Sequence, residues 1–290
     1  MEALLQQLGA GLAAGGIYAS VALALVVIYQ ATHHVNFAQG EMAMFSTYLA
    51  WMLIQAGMPY WGAFAATLVL SFVLAACIEA MVIRPMHGAP VLSVVVVFAG
   101  LLVLLHSIAG LLFGSTIKEF PSPFDGGAWQ GGVFMSRREA GAIAVTLVVV
   151  MLVFCFFRFT SLGLKMRAAA QNPVSSRLVG INVERMLMLG WGLAGTIGAV
   201  AGMMVAPVVF LDPHMMSGVL LYALAGALIG GLDNPIGAVI GGFIVGVLEN
   251  LVGTYLVGTE LKLSVALAII MGVLVVKPSG LLGRVIVARV

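Results

Sequence analysis

Long apolar runs without strand-like alternation fill this chain. They fall near residues 8–29, 38–56, 61–83, 90–113, 139–157, 186–210, 217–232, 236–257 and 263–277. Hydrocarbon offers a backbone no water to bond, so a spanning segment must pair its own N–H and C=O groups or join a closed barrel. A helix needs about 20 apolar residues to cross, whereas a barrel strand needs about 10 and alternates in polarity. These runs therefore predict an all-α, polytopic transmembrane helical bundle of eight or nine spans. The whole of 1–290 reads as one membrane domain.

Composition agrees. The chain is 62% hydrophobic and 8% charged, against about 25% charged in soluble domains. Such a chain has too little polar surface to face water, so membrane lipid is its expected surround. A net charge of +2 gives no basis for a nucleic-acid partner. Residues Met1–Gln7 carry no basic group ahead of the first run, so that run is expected to stay as a span rather than be cleaved. Cys77 and Cys155 fall inside separate runs and read as small buried residues. Their number and spacing suggest neither a metal site nor a disulfide framework.

Basic residues set the orientation. Arg158, Lys165, Arg167, Arg177 and Arg185 form one group, Lys277, Arg284 and Arg289 a second, and Arg84 with His87 a third. All three can lie on the cytoplasmic side. The segment 114–138, with Lys118, Asp125, the turn residues Gly126 and Gly127, and Trp129, then lies outside; Arg137 and Arg138 break the rule there. Small residues recur four apart at Gly11 and Gly15, Gly198 and Gly202, Gly226 and Gly230, Gly237 and Gly241, and Gly242 and Gly246. That spacing lets helix backbones approach closely.

The long polar break is Arg158–Arg185. It reads as a short helix with marked ends: Asn172 at the N-cap, Pro173 at the first position and Gly180 at a left-handed C-terminal cap. Val174 and Leu178 lie one turn apart and give it an apolar side. Two turns of helix do not persist alone in water, so this element is expected to pack against something, and a cytoplasmic partner fits.

Polar groups inside apolar spans are expensive and ask for a role. They are His33, His34, Asn36, Gln39, Glu41, Glu79, His106, Asp233 and Glu249. Each either belongs to a translocation path or bonds between helices, or else is solvated at the interface. Glu79, about one turn before Arg84, reads as interfacial. His106 reads as a neutral imidazole bonded to a neighbouring helix. The cluster from His33 to Glu41 either caps the second span or lines a cavity. Gly230-Gly231-Leu232-Asp233-Asn234-Pro235-Ile236-Gly237 reads as a broken or re-entrant pair near 217–250, or as a tight surface loop. No nucleotide-binding loop, nucleophile elbow or paired-histidine zinc motif occurs, so the chain is not expected to be an enzyme or to hold a cofactor or metal.

Four of these segments together carry a resemblance. Asn36-Phe37-Ala38-Gln39-Gly40-Glu41 resembles the Asn-Phe-Ala-His-Gly-Glu signature of the branched-chain amino-acid ABC transporter permeases. Arg84-Pro85-Met86-His87-Gly88-Ala89-Pro90 is similar to a second family motif. Arg167-Ala168-Ala169-Ala170-Gln171, followed by Leu178-Val179-Gly180-Ile181-Asn182-Val183, is similar to a third. Gly230 to Ala238, ending in Glu249, is similar to a fourth. The match is to the smaller of the family's two permease types.

The resemblance implies a multi-pass permease of a bacterial inner (plasma) membrane importer. Its partners would be a second permease subunit in a heterodimer, two cytoplasmic ATP-binding subunits and an external substrate-binding protein. Arg167, Ala168, Gln171, Asn172, Pro173, Leu178, Gly180 and Ile181 would couple it to the ATPases. Asn36, Phe37, Gln39, Gly40, Glu41, Asp233, Asn234, Pro235, Gly237 and Glu249 would flank the translocation path. The cargo would be a branched-chain amino acid or a related small zwitterion or amide. Gln39 departs from the family's usual His; an amide does not titrate, which bears on specificity if that position meets cargo. Two rivals of other classes are an ion-coupled secondary transporter, for which Asp233 and Glu249 are the acidic candidates, and a non-transporting scaffold.

Overall fold

A computed structural model describes residues 2–32, 34–86, 88–124, 136–258, 261–277 and 280–283. The expectations placed on His33, His87, Asp125, Gly126, Gly127, Trp129, Arg284 and Arg289 lie outside the described residues. The helices are α1 (Glu2–Thr32), α2 (Gln39–Gln55), α3 (Tyr60–Ile78), α4 (Val91–Phe113), α5 (Arg137–Phe159), α6 (Ser161–Gln171), α7 (Pro173–Leu178), α8 (Val183–Val209), α9 (Met215–Gly230), α10 (Pro235–Val252) and α11 (Lys262–Val276). A π turn, Glu79–Ile83, and a 3-10 turn, Arg84–Met86, extend α3.

Six helices among the described residues are long and apolar enough to cross a membrane: Glu2–Gln30, Tyr60–Met86, Val91–Phe113, Arg137–Phe159, Val183–Val209 and Pro235–Leu256. The expected eight or nine are not reached. The remaining apolar helices, α2, α9 and α11, have 17, 16 and 15 residues. At about 1.5 Å per residue each falls short of the roughly 30 Å core.

Glycine sets the centre of the bundle. A Cβ at Gly11 or Gly15 on α1 would run into the backbone of α10 at Val247 and Phe243. From the other side, Gly246 meets Gly15 and Gly242 meets Ala19. Rising numbers on α1 meet falling numbers on α10, so the two are antiparallel. Gly226 and Gly230 on α9 meet Gly242 and Gly237 in the same sense. Gly198 and Gly202 on α8 face Gln39, Ala43 and Thr47 on α2. All five glycine pairs picked out by spacing thus lie at close helix approaches. Backbone-to-backbone contact of this kind is what holds helices together where lipid removes the hydrophobic drive.

The contacts sort the loops onto two ends. Arg84 reaches Glu184 at 3.9 Å, which puts the end of α3 beside the start of α8. The Gln30 side chain donates to the Asp233 carbonyl at 2.9 Å, which puts the end of α1 beside the α9–α10 turn. The Leu281 and Leu282 N–H groups donate to Ile229 and Gly230 at 2.6 and 3.2 Å, bringing in the stretch after Lys277. The described members of the three basic groups therefore share one end, as the charge rule requires. At the other end Lys118 and Leu211 pair backbone to backbone at 2.9 and 3.0 Å.

This arrangement settles the 230–237 turn. It lies level with the end of the long helix α1, so α9 and α10 form an ordinary antiparallel hairpin with its turn at the basic end. The discontinuity sits elsewhere, between α1 and α2. Ala38 is fully buried in the cluster that holds Leu23, Ala24, Val27 and Ile28. Gln39 bonds to Ala194, about 16 Å along α8 from Val183. Residues 34–38 thus climb in non-helical form from the basic end into the bundle, and α2 starts part way across. Such backbone is tolerated at depth only when buried in protein. Asn36, itself fully buried, supplies the local bonds: its Oδ1 accepts the Ala38 N–H at 3.0 Å and its carbonyl accepts the Gln39 N–H at 3.2 Å.

Candidate functional site

The basic end carries two helices where the sequence suggested one. Asn172 ends α6 by donating its N–H to the Ala168 carbonyl at 3.0 Å, and opens α7 by accepting the Ser175 N–H on Oδ1 at 2.9 Å. Pro173 stands at the first position of α7, and Gly180 follows it at φ +81°, where a Cβ would be strained. The Ile181 N–H returns to the Ser176 carbonyl at 2.9 Å and closes the cap. Asn182 then caps α8.

The two helices differ in what they bury. Met166 and Ala169 anchor α6 onto Val183, Met186 and Leu187 of α8. In α7 only Ser176 is buried. Val174, Leu178 and Val179 stand 70%, 84% and 76% exposed. Among the described residues nothing covers this apolar side. A rigidly capped, apolar-faced helix is instead presented outward at the basic end, on a base fixed by α6.

A second feature lies deeper. Glu41, in the first turn of α2, is buried, and its Oε2 lies 3.3 Å from His106 Nδ1 on α4. The His106 ring packs on the ring of His214, just before α9, with centroids 4.6 Å apart. Three helices thus bring a carboxylate and two imidazoles together, about 22 Å along α4 from Val91. The expected bond from His106 to a neighbouring helix is present. His214 was missed by sequence reasoning: it follows Pro213 in what reads as an outer loop, and nothing local marks it.

The other expected residues are distributed as follows. Gln39 is fully buried and donates to the Ala194 carbonyl at 3.0 Å. Gly40 packs on Leu220 and Met216 of α9, and Phe37 is exposed. Asn234 caps α10, accepting the Ile236 and Gly237 N–H groups at 3.1 and 3.2 Å, with Pro235 at the first position. Gly237 lies against Gly230. Glu249 accepts the Tyr18 hydroxyl at 2.9 Å and pairs with Lys262 at 3.4 Å. Tyr18 and Lys262 also escaped the sequence, since Tyr18 is 231 positions from its partner. Glu79 corrects its expectation: the side chain is fully buried, not solvated, and Arg84 meets it at 3.0 Å. Cys77 and Cys155 are half-buried, on α3 and α5.

One cavity of about 830 Å³ joins two sets that the sequence kept apart. Arg167 and Gln171 of α6 line it together with Asp233, Asn234 and Pro235 of the α9–α10 turn. Its walls are otherwise mainly apolar side chains of α1, α5 and α8.

A glycine-packed helical bundle with a mid-depth break and an outward-facing capped helix at its basic end is the architecture of a polytopic membrane protein. The chain matches the family described as "branched-chain amino acid transport system / permease component" over residues 7–274, and it belongs to that family. It is 31% identical to the high-affinity branched-chain amino acid transport system permease protein LivH of Escherichia coli K12, over 99% of this chain and 97% of that one. It is 28% identical to the corresponding BraD protein of Pseudomonas aeruginosa, over 99% and 98%. A shorter likeness, 28% over 42% of this chain and 38% of the relative, is to the nucleoside ABC transporter permease protein NupC of Lactococcus lactis. No solved structure matches the chain. The protein is thus an inner-membrane ABC permease, a transport component.

Proposed function

We propose that this chain is the smaller permease subunit of an ABC importer, and that it moves a branched-chain amino acid or a similar small zwitterion inward. The observation that carries the reading is α7. Val174, Leu178 and Val179 form an apolar face that no part of the described chain covers, on a helix held rigid by Asn172, Pro173 and Gly180. A groove on a cytoplasmic ATP-binding subunit is its occupant. Closure of two such subunits pushes α7, and α6 passes the motion to α8 through Met166 and Ala169. Arg167, Ala168, Gln171 and Ile181 complete this coupling surface.

In this reading the path runs beside the Asn36–Ala38 turn and the first turn of α2, past Glu41. Gly40 and Gln39 hold α2 against α9 and α8, so a shift of α8 reaches that turn directly. Asp233 and the α9–α10 turn, with Asn234, Pro235 and Gly237, stand at the inner end. Glu249 braces the outer end through Tyr18 and Lys262. A second permease subunit completes the membrane unit as a heterodimer, α2, α9 and α11 gaining cover that their length alone does not give. An external binding protein delivers cargo. Full-length likeness to LivH and BraD favours amino acids over the nucleosides named for the partial relative.

The test is mild-detergent purification from the native membrane. Two P-loop ATPase chains and a second permease are expected to be retained, and cargo-loaded binding protein is expected to raise ATP turnover. Recovery of the chain alone, still moving solute on an ion gradient, would overturn the reading in favour of a secondary transporter.

A further inference from the structure

The cavity at the basic end has more in it than the coupling surface uses. It is about 830 Å³, toward the upper end of the range for small-molecule sites and large for one amino acid. Its α5 wall is Val150, Val153, Phe154 and Phe157, closed by Arg158 in the last turn. These positions span about 12 Å of helix and end at the basic side of the bundle. Among the six long helices α5 has the lowest buried share, 17% of its apolar window. The cavity thus lies along the long helix that the described part of the chain covers least. Arg167, from α6, lines the same space and brings a second arginine to it. The one acidic liner is Asp233, and its backbone carbonyl is held by Gln30.

From this placement we infer that the cavity is a binding site for one anionic glycerophospholipid of the cytoplasmic leaflet. An acyl chain lies along Val150, Val153 and Phe157, and the phosphodiester rests between Arg158 and Arg167. Two arginines against one aspartate leave a net positive site, and a planar guanidinium matches phosphate oxygens in a bidentate manner. Basic pockets between helices at the cytoplasmic interface suit such headgroups. A bound lipid would wedge between α5, α6 and the α9–α10 turn, beside the α6–α8 contact through which α7 is proposed to act. The inference goes beyond the transport reading and does not depend on which cargo is carried.

The test is native mass spectrometry of the delipidated full chain with the subunits that co-purify with it. Dioleoyl phosphatidylglycerol and dioleoyl phosphatidylcholine are added separately. One phosphatidylglycerol is expected to be retained, with a preference over phosphatidylcholine on the order of tenfold. Arg158→Gln, an exposed position, is expected to remove the preference. Val153→Trp is expected to displace both lipids; if that variant does not fold, Arg158→Gln alone decides. Equal retention of the two lipids, or a preference untouched by Arg158→Gln, overturns the proposal. Displacement of phosphatidylglycerol by millimolar inorganic phosphate would show a bare anion site and overturn it as well. Displacement by leucine would make the cavity part of the cargo route instead.

Discussion

Glu41 and His106 meet at 3.3 Å between the first turn of α2 and the outer half of α4. The carboxylate is buried, while the imidazole remains about a third exposed. Each is the other's polar partner at a depth where an unpaired group is costly. Removing one partner of such a pair leaves the other orphaned, at about 1–3 kcal/mol. His106→Leu is therefore expected to lower the melting temperature of the purified protein more than Glu41→Gln, which removes the charge and keeps hydrogen-bonding capacity. Thermal unfolding followed by tryptophan fluorescence measures this. Equal stability of His106→Leu and the parent protein would show that the contact contributes nothing to folding.

Gly230 and Gly237 sit so close that a Cβ on either would enter the backbone of the other helix. Backbone cannot move aside as a flexible side chain can. Gly230→Ala is expected to cost about 1–3 kcal/mol or more and to reduce the yield of folded protein. Gly100, on α4, has nothing within 4 Å of its would-be Cβ. Gly100→Ala should be neutral or gain about 0.5–1 kcal/mol, as expected for a helix interior. Size-exclusion recovery after heating separates the two.

Gly180 ends α7 with φ +81°, while its would-be Cβ meets nothing within 4 Å. The constraint is backbone conformation, not space. Gly180→Val should reset the exit from α7 at about 1–2 kcal/mol, with Gly180→Asn milder. Both should insert normally. The measurable loss is in cargo-stimulated ATP turnover of the reconstituted complex. Leu178→Glu should act more directly, through loss of ATPase retention in a pull-down. Failed insertion of Gly180→Val with ATPase binding intact would contradict the assigned role.

Gln39 stands where the family usually has His, and it is fully buried with its amide on Ala194. A His at this position can also donate one ring N–H to that carbonyl. Gln39→His is expected to fold and to keep the order of substrate preference, because the side chain addresses a neighbouring helix. Competition uptake with leucine, valine and a short amide checks this. A changed order would place Gln39 on the cargo path.

Much of this protein was legible in the residues themselves. Length and polarity of the apolar runs located the helices, because hydrocarbon enforces internal pairing of the backbone. Asn172, Pro173 and Gly180 marked the ends of α7, because caps are local chemistry between neighbours in sequence. Basic residues located the shared end. Glycine spacing marked the close approaches, since four residues return to the same helix face.

Partnerships across the bundle were decided only by tertiary structure. Nothing near Tyr18 points to Glu249, nor near His106 to Glu41 and His214, because those contacts depend on which helix faces which. Six long helices among the described residues do not confirm the span count of eight or nine, since an apolar run does not reveal that α2 starts part way across, after a non-helical climb from α1. The site of the break was likewise ambiguous. Gly and Pro mark a turn equally well at a surface or at depth, and only the bond from Gln30 to Asp233 and the burial of Ala38 separate the two. Sequence fixes what each segment can form alone; depth and pairing are properties of the assembled bundle, where side chains distant in the chain compete for the same buried volume.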